Sequence, residues 1–166
     1  MNENKLKEFK QYLIDNFTDA YTSYFHGCAH WERVEAFGLL MAEENPEADT
    51  DVIRWFAWLH DSQRFDPYAN QDNHGRIAAR FIKKIRKTFL SDLTDEQIEK
   101  LETACRIHPV KKSSGDITID LCLDADRLDL PRVGFTTDPN RMASETGAKY
   151  ARNSYADNLD LIGKTL

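Results

Sequence analysis

A chain of 166 residues can bury one core of useful size, and its 41% hydrophobic and 30% charged residues exclude an intrinsically disordered chain. Its formal net charge of -6 gives no global field that would draw in a polyanion, so duplex nucleic acid is not an expected partner. The opening MNENKLKEFKQYL mixes charged and apolar residues, and no later apolar run reaches about 18 residues, so neither a signal peptide nor a membrane span is expected and the predicted location is cytoplasmic. Cys28, Cys105 and Cys122 are odd in number and lack a CxxC spacing, which predicts buried free thiols in place of a disulfide framework or a zinc knuckle.

No repeat, low-complexity stretch or long Pro/Gly/Ser linker interrupts the sequence, so residues 1–166 read as one domain. Phe9, Leu13 and Phe17 lie one turn apart and predict an opening helix over residues 5–16, with a turn near Gly27 after it. His30, Val34, Phe37 and Met41 share one face of a second helix that ends before Pro46. The segment DVIRWFAWLHD is apolar almost all round, as a central helix must be, and the tryptophans Trp31, Trp55 and Trp58 are expected in the core. After a turn at Asp66-Pro67, the residues His74, Ile77, Ala78, Phe81, Ile82 and Ile85 mark an amphipathic helix whose KKIRK run is a solvated face. Thr94 and Gln97 have the spacing of a capping box and open a helix with Ile98, Leu101, Cys105 and His108 inward, stopped by Pro109. Ile119, Cys122, Leu123, Asp126 and Leu130 repeat the period before Pro131, although residues 116–121 also alternate like a strand. Asp138-Pro139 reads as an N-cap and first turn of a further helix. Every strong period is near 3.6, so the expected fold class is all-α.

The ligand-type residues fall on the apolar sides of these stripes. His30, His60, His74, His108 and Asp126 each stand three or four residues from core-type positions, on five different predicted helices. A single histidine on an apolar face is ordinarily a hydrogen-bonded core residue; four of them together with a buried carboxylate require a compensating positive charge. Imidazole and carboxylate suit zinc, manganese, iron or nickel, whereas a thiolate site would need the cysteines. Asp61 directly follows His60, and the two can reach one metal jointly or a second through Asp61.

His30, the pair His60-Asp61, and Asp126 in LDADRLDL resemble the H…HD…D signature of the HD superfamily of metal-dependent phosphohydrolases. The contexts HWERV, FAWLHDSQRFD, NHGRIAARF and DADRLDL are similar to those of small bacterial HD-domain proteins, over roughly residues 25–134. The resemblance implies an HD-domain-like helical bundle in which His30, His60, Asp61 and Asp126 bind metal. His74 and His108 match the two further histidines of members that hold two ions, with Asp61 bridging; in a one-metal protein they would bind phosphate or donate a proton. Asp124 is the competing carboxylate, two residues from Asp126, and a candidate partner to the ligands. Some nucleotidases in the superfamily carry HDxxE, and here Arg64 stands at the glutamate position. Arg64 and Asp61 are therefore the candidate catalytic pair, the guanidinium holding phosphate, with an ion pair to Asp66 as the plain alternative. His26 is either at the site mouth or a surface turn residue; Arg33, Arg127 and Arg132 are read chiefly as solvated or surface-paired; and Asp129, outside the motif, is expected to be neutral to activity.

What the resemblance implies is hydrolysis of a small phosphorylated substrate, a nucleotide first, by water activated at one or two divalent ions drawn from Mn, Fe, Zn, Ni, Co or Mg. Two alternatives stay open on the same residues: a dinuclear-iron oxygenase, and a non-catalytic nucleotide or metal sensor.

Overall fold

A computed structural model describes residues 3–16, 26–64 and 73–163. Among them the chain is all helical, with eight α-helices, two short 3-10 turns and no strand. Helix α1 (Glu3–Asn16) buries Leu6, Phe9 and Leu13, and the Phe9 ring lies 5.2 Å from Trp55 and 5.3 Å from Phe89. The expected partner Phe17 and the turn at Asp66-Pro67 lie outside the described residues. Helix α2 (Cys28–Ala42) starts after the bend at Gly27.

Helix α3 (Thr50–Leu59) is the central one. Asp49 caps it by accepting from the amides of Asp51 and Val52, and residues Val52, Ile53 and Trp55 through Leu59 are all buried between α2, α5 and α6. Each such large apolar side chain contributes roughly 1.5 to 3 kcal/mol by leaving water. Helices α4 (His74–Ile85) and α5 (Asp95–Ile107) pack along each other. The capping box is formed as its sequence dictates: the Gln97 amide donates to Thr94 Oγ1 at 3.2 Å, and the Thr94 amide donates to Gln97 Oε1 at 2.9 Å. Helix α6 (Ile117–Leu128) takes up the stretch whose alternation was ambiguous, because Asp116 caps it by accepting from the Ile119 amide. All three tryptophans and all three cysteines are buried, the latter as free thiols.

The C-terminal region departs from expectation. Asp138 caps only a three-residue 3-10 turn, Pro139–Arg141, and the next helices are α7 (Glu145–Tyr150) and α8 (Tyr155–Gly163). The reason is Asp124, whose buried carboxylate accepts from the backbone amides of Ala143 and Ser144 at 2.6 and 2.8 Å. That pairing holds Met142 and Ser144 extended, so a helix begun at Pro139 cannot continue. No described helix is long and apolar enough to cross a membrane.

Candidate metal centre

The ligand-type residues gather because they sit at helix ends that meet. His30 is in the first turn of α2, His74 opens α4, His60 and His108 follow the last residues of α3 and α5, and Asp126 is in the last turn of α6. Asp61 continues from His60 into a turn. Gly75 makes one of these meetings feasible. A Cβ there would collide with the Cys105 carbonyl oxygen and press on Pro109, so only glycine lets the start of α4 close on the end of α5. The consequence is that His74 Nε2 and His108 Nε2 lie 2.8 Å apart.

Two clusters result, one of His30, His60 and Asp126 and one of Asp61, His74 and His108. In the first, His30 Nε2 is 3.2 Å from His60 Nε2 and 3.4 Å from Asp126 Oδ1, and His60 Nε2 is 3.7 Å from the same oxygen. Asp61 joins the two. Its Oδ2 lies 3.8 Å from both His30 Nε2 and His60 Nε2, while its Oδ1 faces His74 Nε2 at 3.2 Å and His108 Nε2 at 3.6 Å. Donors bound about 2.1 Å from a common cation stand roughly 3.0 to 3.4 Å apart, which is close to these separations.

Hydrogen bonding on the far side of each ring decides what faces the middle. His60 Nδ1 donates to the carbonyls of Phe56 and Ala57 at 3.2 and 3.0 Å, and His108 Nδ1 donates to that of Cys105 at 2.7 Å. His30 Nδ1 donates to Asp129 Oδ2 at 2.8 Å. With the Nδ1 proton fixed in each, the neutral rings turn Nε2 lone pairs toward one another and toward two carboxylates. Asp61 Oδ1 is buried and accepts no hydrogen bond from any described residue. Imidazole nitrogens and carboxylate oxygens converging this closely, with a buried carboxylate oxygen left unbonded, suit a cation.

The protonation equilibria carry the same message. Burial raises the Asp61 carboxyl, but His60, with His108, His26 and His74, outweighs that and holds it well below the ordinary carboxylate range. Burial likewise raises Asp126, and the neighbouring His30 and His60 hold it well below that range. Burial lowers His60, yet Asp61 and Asp126 prevail and push it up, so the carboxylates draw a proton to the place where a metal would supply the charge. His108 is lowered, chiefly by burial, which favours its neutral form.

No protein-family model and no curated protein matches the chain. A solved structure does: a predicted HD superfamily hydrolase from an uncultured Thermotogales bacterium, with a TM-score of 0.72 and 22% identity over 99% of this chain and 97% of that one. The chain has the HD-type helical fold. Within it, the motif histidines and aspartates meet at one end of the bundle, and several residues outside the motif prove to be joined to them.

Asp129 is the main correction. It is fully buried and holds His30 Nδ1, accepts from Arg33 Nε at 2.6 Å and Nη2 at 3.0 Å, and accepts from the Tyr155 hydroxyl at 2.5 Å. Burial raises its carboxyl, but His30 and Arg33 win and keep it ionised. It cannot serve as a neutral control. Arg33 is half-buried in that pair instead of solvated, and Arg132 packs on the same aspartate, donating from Nη1 to its carbonyl at 3.0 Å. His26 Nδ1 stands 2.6 Å from Asp61 Oδ2, which puts it at the site and not in a remote surface turn. Asp124 does not reach the ligands; it anchors the backbone before α7. Arg127 is likewise structural, donating to the carbonyls of Lys111, Lys112 and Arg141. Spacing held a signal for three of these, since Asp129, Arg33 and His26 lie three or four residues from Asp126 or His30.

Proposed function

We propose that the chain is an HD superfamily metal-dependent phosphohydrolase acting on a small phosphate ester. The observation that carries this reading is the Asp61 carboxylate, which offers one oxygen to each of two histidine-containing clusters. His30, His60, Asp61 and Asp126 would hold one divalent ion, and Asp61, His74 and His108 a second. Such ions supply Lewis acidity: they lower the pKa of water toward about 7 and neutralise phosphoryl oxygens.

The chain's own residues do the rest. Asp61 sets the spacing of the two clusters through a single side chain, and Asp129 fixes the ring of His30 by taking its Nδ1 proton in a hydrogen bond. Arg64 follows Asp61 by one turn, and its buried Nε makes no hydrogen bond with any described residue. It is the residue proposed to hold a phosphoryl oxygen, since a guanidinium binds such oxygens bidentately.

The test is Asp61→Asn, which preserves shape and removes the charge. Metal content by elemental analysis and phosphate release from a panel of phosphate esters should both fall, activity by at least about a hundredfold. Undiminished phosphate release would overturn the reading. Iron content with oxygen consumption and no phosphate release would favour an oxygenase in its place.

A further inference from the structure

A cavity of about 590 Å³ opens beside the candidate metal centre and has His108 and Asp126 among its lining residues. Those two residues come from different clusters, so both candidate metal positions border the same space. Its volume matches that of sites for drug-sized ligands and is far larger than one phosphoryl group needs. The rest of a substrate therefore has somewhere to go.

Two features of the walls describe that remainder. Phe135 and Val110, 64% and 62% exposed, are the large hydrophobic residues left most open among the described residues, and both line this cavity. Phe135 is held out by Gly134, whose φ of +90° is a left-handed conformation that side-chain-bearing residues rarely adopt. Lys111, Lys112 and Arg141 also line the cavity, and none of them forms an ion pair with a described residue, on a chain of net charge -6. Arg127 braces these walls. It donates to the Lys111 and Lys112 carbonyls at 2.5 and 2.7 Å and to the Arg141 carbonyl at 3.2 Å, tying the loop after α5 to the segment before α7.

We infer that this cavity seats the leaving group of the substrate, and that the leaving group carries a flat apolar ring, against Phe135, and a second anionic group, against Lys111 and Lys112. The inference rests on the phosphohydrolase reading for the position of the reacting phosphoryl group. It makes Phe135, Lys111 and Lys112 specificity residues contributed by parts of the chain at and beyond the edge of the motif. Nucleoside diphosphates and acidic aryl phosphates share the required chemistry.

Three probes joined by carbon–phosphorus bonds separate the two wall features by calorimetry on the metal-loaded protein: phenylphosphonate has the ring alone, methylenediphosphonate the second anion alone, and adenosine 5′-(α,β-methylene)diphosphate both. The last should bind most tightly. Phe135→Ala should weaken the two ring-bearing probes by about tenfold, the size expected for loss of one stacked ring, and leave methylenediphosphonate unchanged. The pair Lys111→Ala and Lys112→Ala should do the reverse, weakening both two-anion probes in a salt-dependent way and sparing phenylphosphonate. Both substitutions are on exposed side chains, so folding is not at stake. A fourth probe, 4-carboxyphenylphosphonate, tells the sources apart: if it equals the adenosine compound the substrate is an aryl acid ester, and if it is weaker the substrate is a nucleotide. Equal binding of the first three probes, or binding indifferent to both variants, overturns the inference. Phe135-dependent binding of these probes, with no phosphate released by the same metal-loaded protein from the hydrolysable counterparts ADP and phenyl phosphate, would instead count against the phosphohydrolase reading, so the two failures are distinguishable.

Discussion

Asp129 has the environment of a residue that works through another. Its carboxylate is fully buried, yet it receives a histidine, an arginine and a tyrosine, the last from α8. Burial pushes the Tyr155 hydroxyl up, and Asp129 pushes it further, to about 12, so it remains a donor at any ordinary pH. Removing a hydrogen-bond partner of a metal-ligating histidine typically weakens metal binding by about 10- to 100-fold. Asp129→Ala should do that in a metal titration and should also lower the melting temperature, because the half-buried Arg33 charge loses its partner. Tyr155→Phe removes one donor of several and should weaken metal binding less than Asp129→Ala does. Wild-type metal affinity in Asp129→Ala would show that His30 needs no orientation. The sequence made the clustering of these histidines and carboxylates legible because a histidine on an apolar stripe is out of place, and four such histidines are hard to explain otherwise. It hid Asp129, Arg33 and His26 because an aspartate, arginine or histidine one turn from a ligand looks like any polar residue at a helix end. Only the approach of α2 and α8 to the end of α6 closes the network.

The elements were legible where their signals are local. The Thr94 capping box and the inward faces of α4, α5 and α6 depend on residues within one or two turns. The C-terminal helices were not, because what interrupts the chain after Arg141 is a carboxylate some twenty residues away, Asp124, which accepts two backbone amides there. The same contrast between local and tertiary causes gives a paired prediction. Thr94→Ala removes the cap of α5 and should cost about 1 kcal/mol of stability, read from denaturant unfolding, with no change in metal content. Gly75→Ala acts at the contact between α4 and α5, where its methyl group would meet the Cys105 carbonyl oxygen and force the two helix ends apart. His74 and His108 would then separate, so under the two-ion proposal the second ion should be lost while the one at His30, His60 and Asp126 remains. Metal content should fall from two ions to one. Full retention of both ions in Gly75→Ala, or loss of either in Thr94→Ala, would show that helix-end packing does not build the second cluster.

At the scale of the whole molecule, the bundle holds at one end a set of carboxylates and imidazoles that need positive charge, and protons compete with metal to supply it. His60 has its pKa raised above 6.5 in the folded, metal-free protein, with burial opposing and Asp61 and Asp126 prevailing. Its contribution to stability is therefore fully present below the unfolded value of 6.5 and is lost as pH rises through the folded value. Asp61 and Asp126 are depressed well below 3.8, so their contribution is present above 3.8 and is lost only as pH falls through their folded values. From about pH 4 up to the raised pKa of His60, a proton on that ring stands in for metal; above that pKa the proton leaves and the carboxylates are uncompensated. Metal bound at the first cluster would have to expel the His60 proton, whereas burial lowers His108 and so leaves less proton to expel at the second. The difference in melting temperature between metal-loaded and chelator-treated protein should thus widen from pH 5.5 to pH 8. On acidification, the ion at the cluster containing His60 should be released before the ion at the cluster containing His108. A His60→Gln variant, which has no such proton to expel, should retain a second-cluster ion whose affinity changes less steeply over the same range. Thermal melts at several pH values, with elemental analysis after dialysis at each, would measure both effects. A melting-temperature difference that does not change with pH, or release of both ions together, would show that proton and metal do not compete at His60.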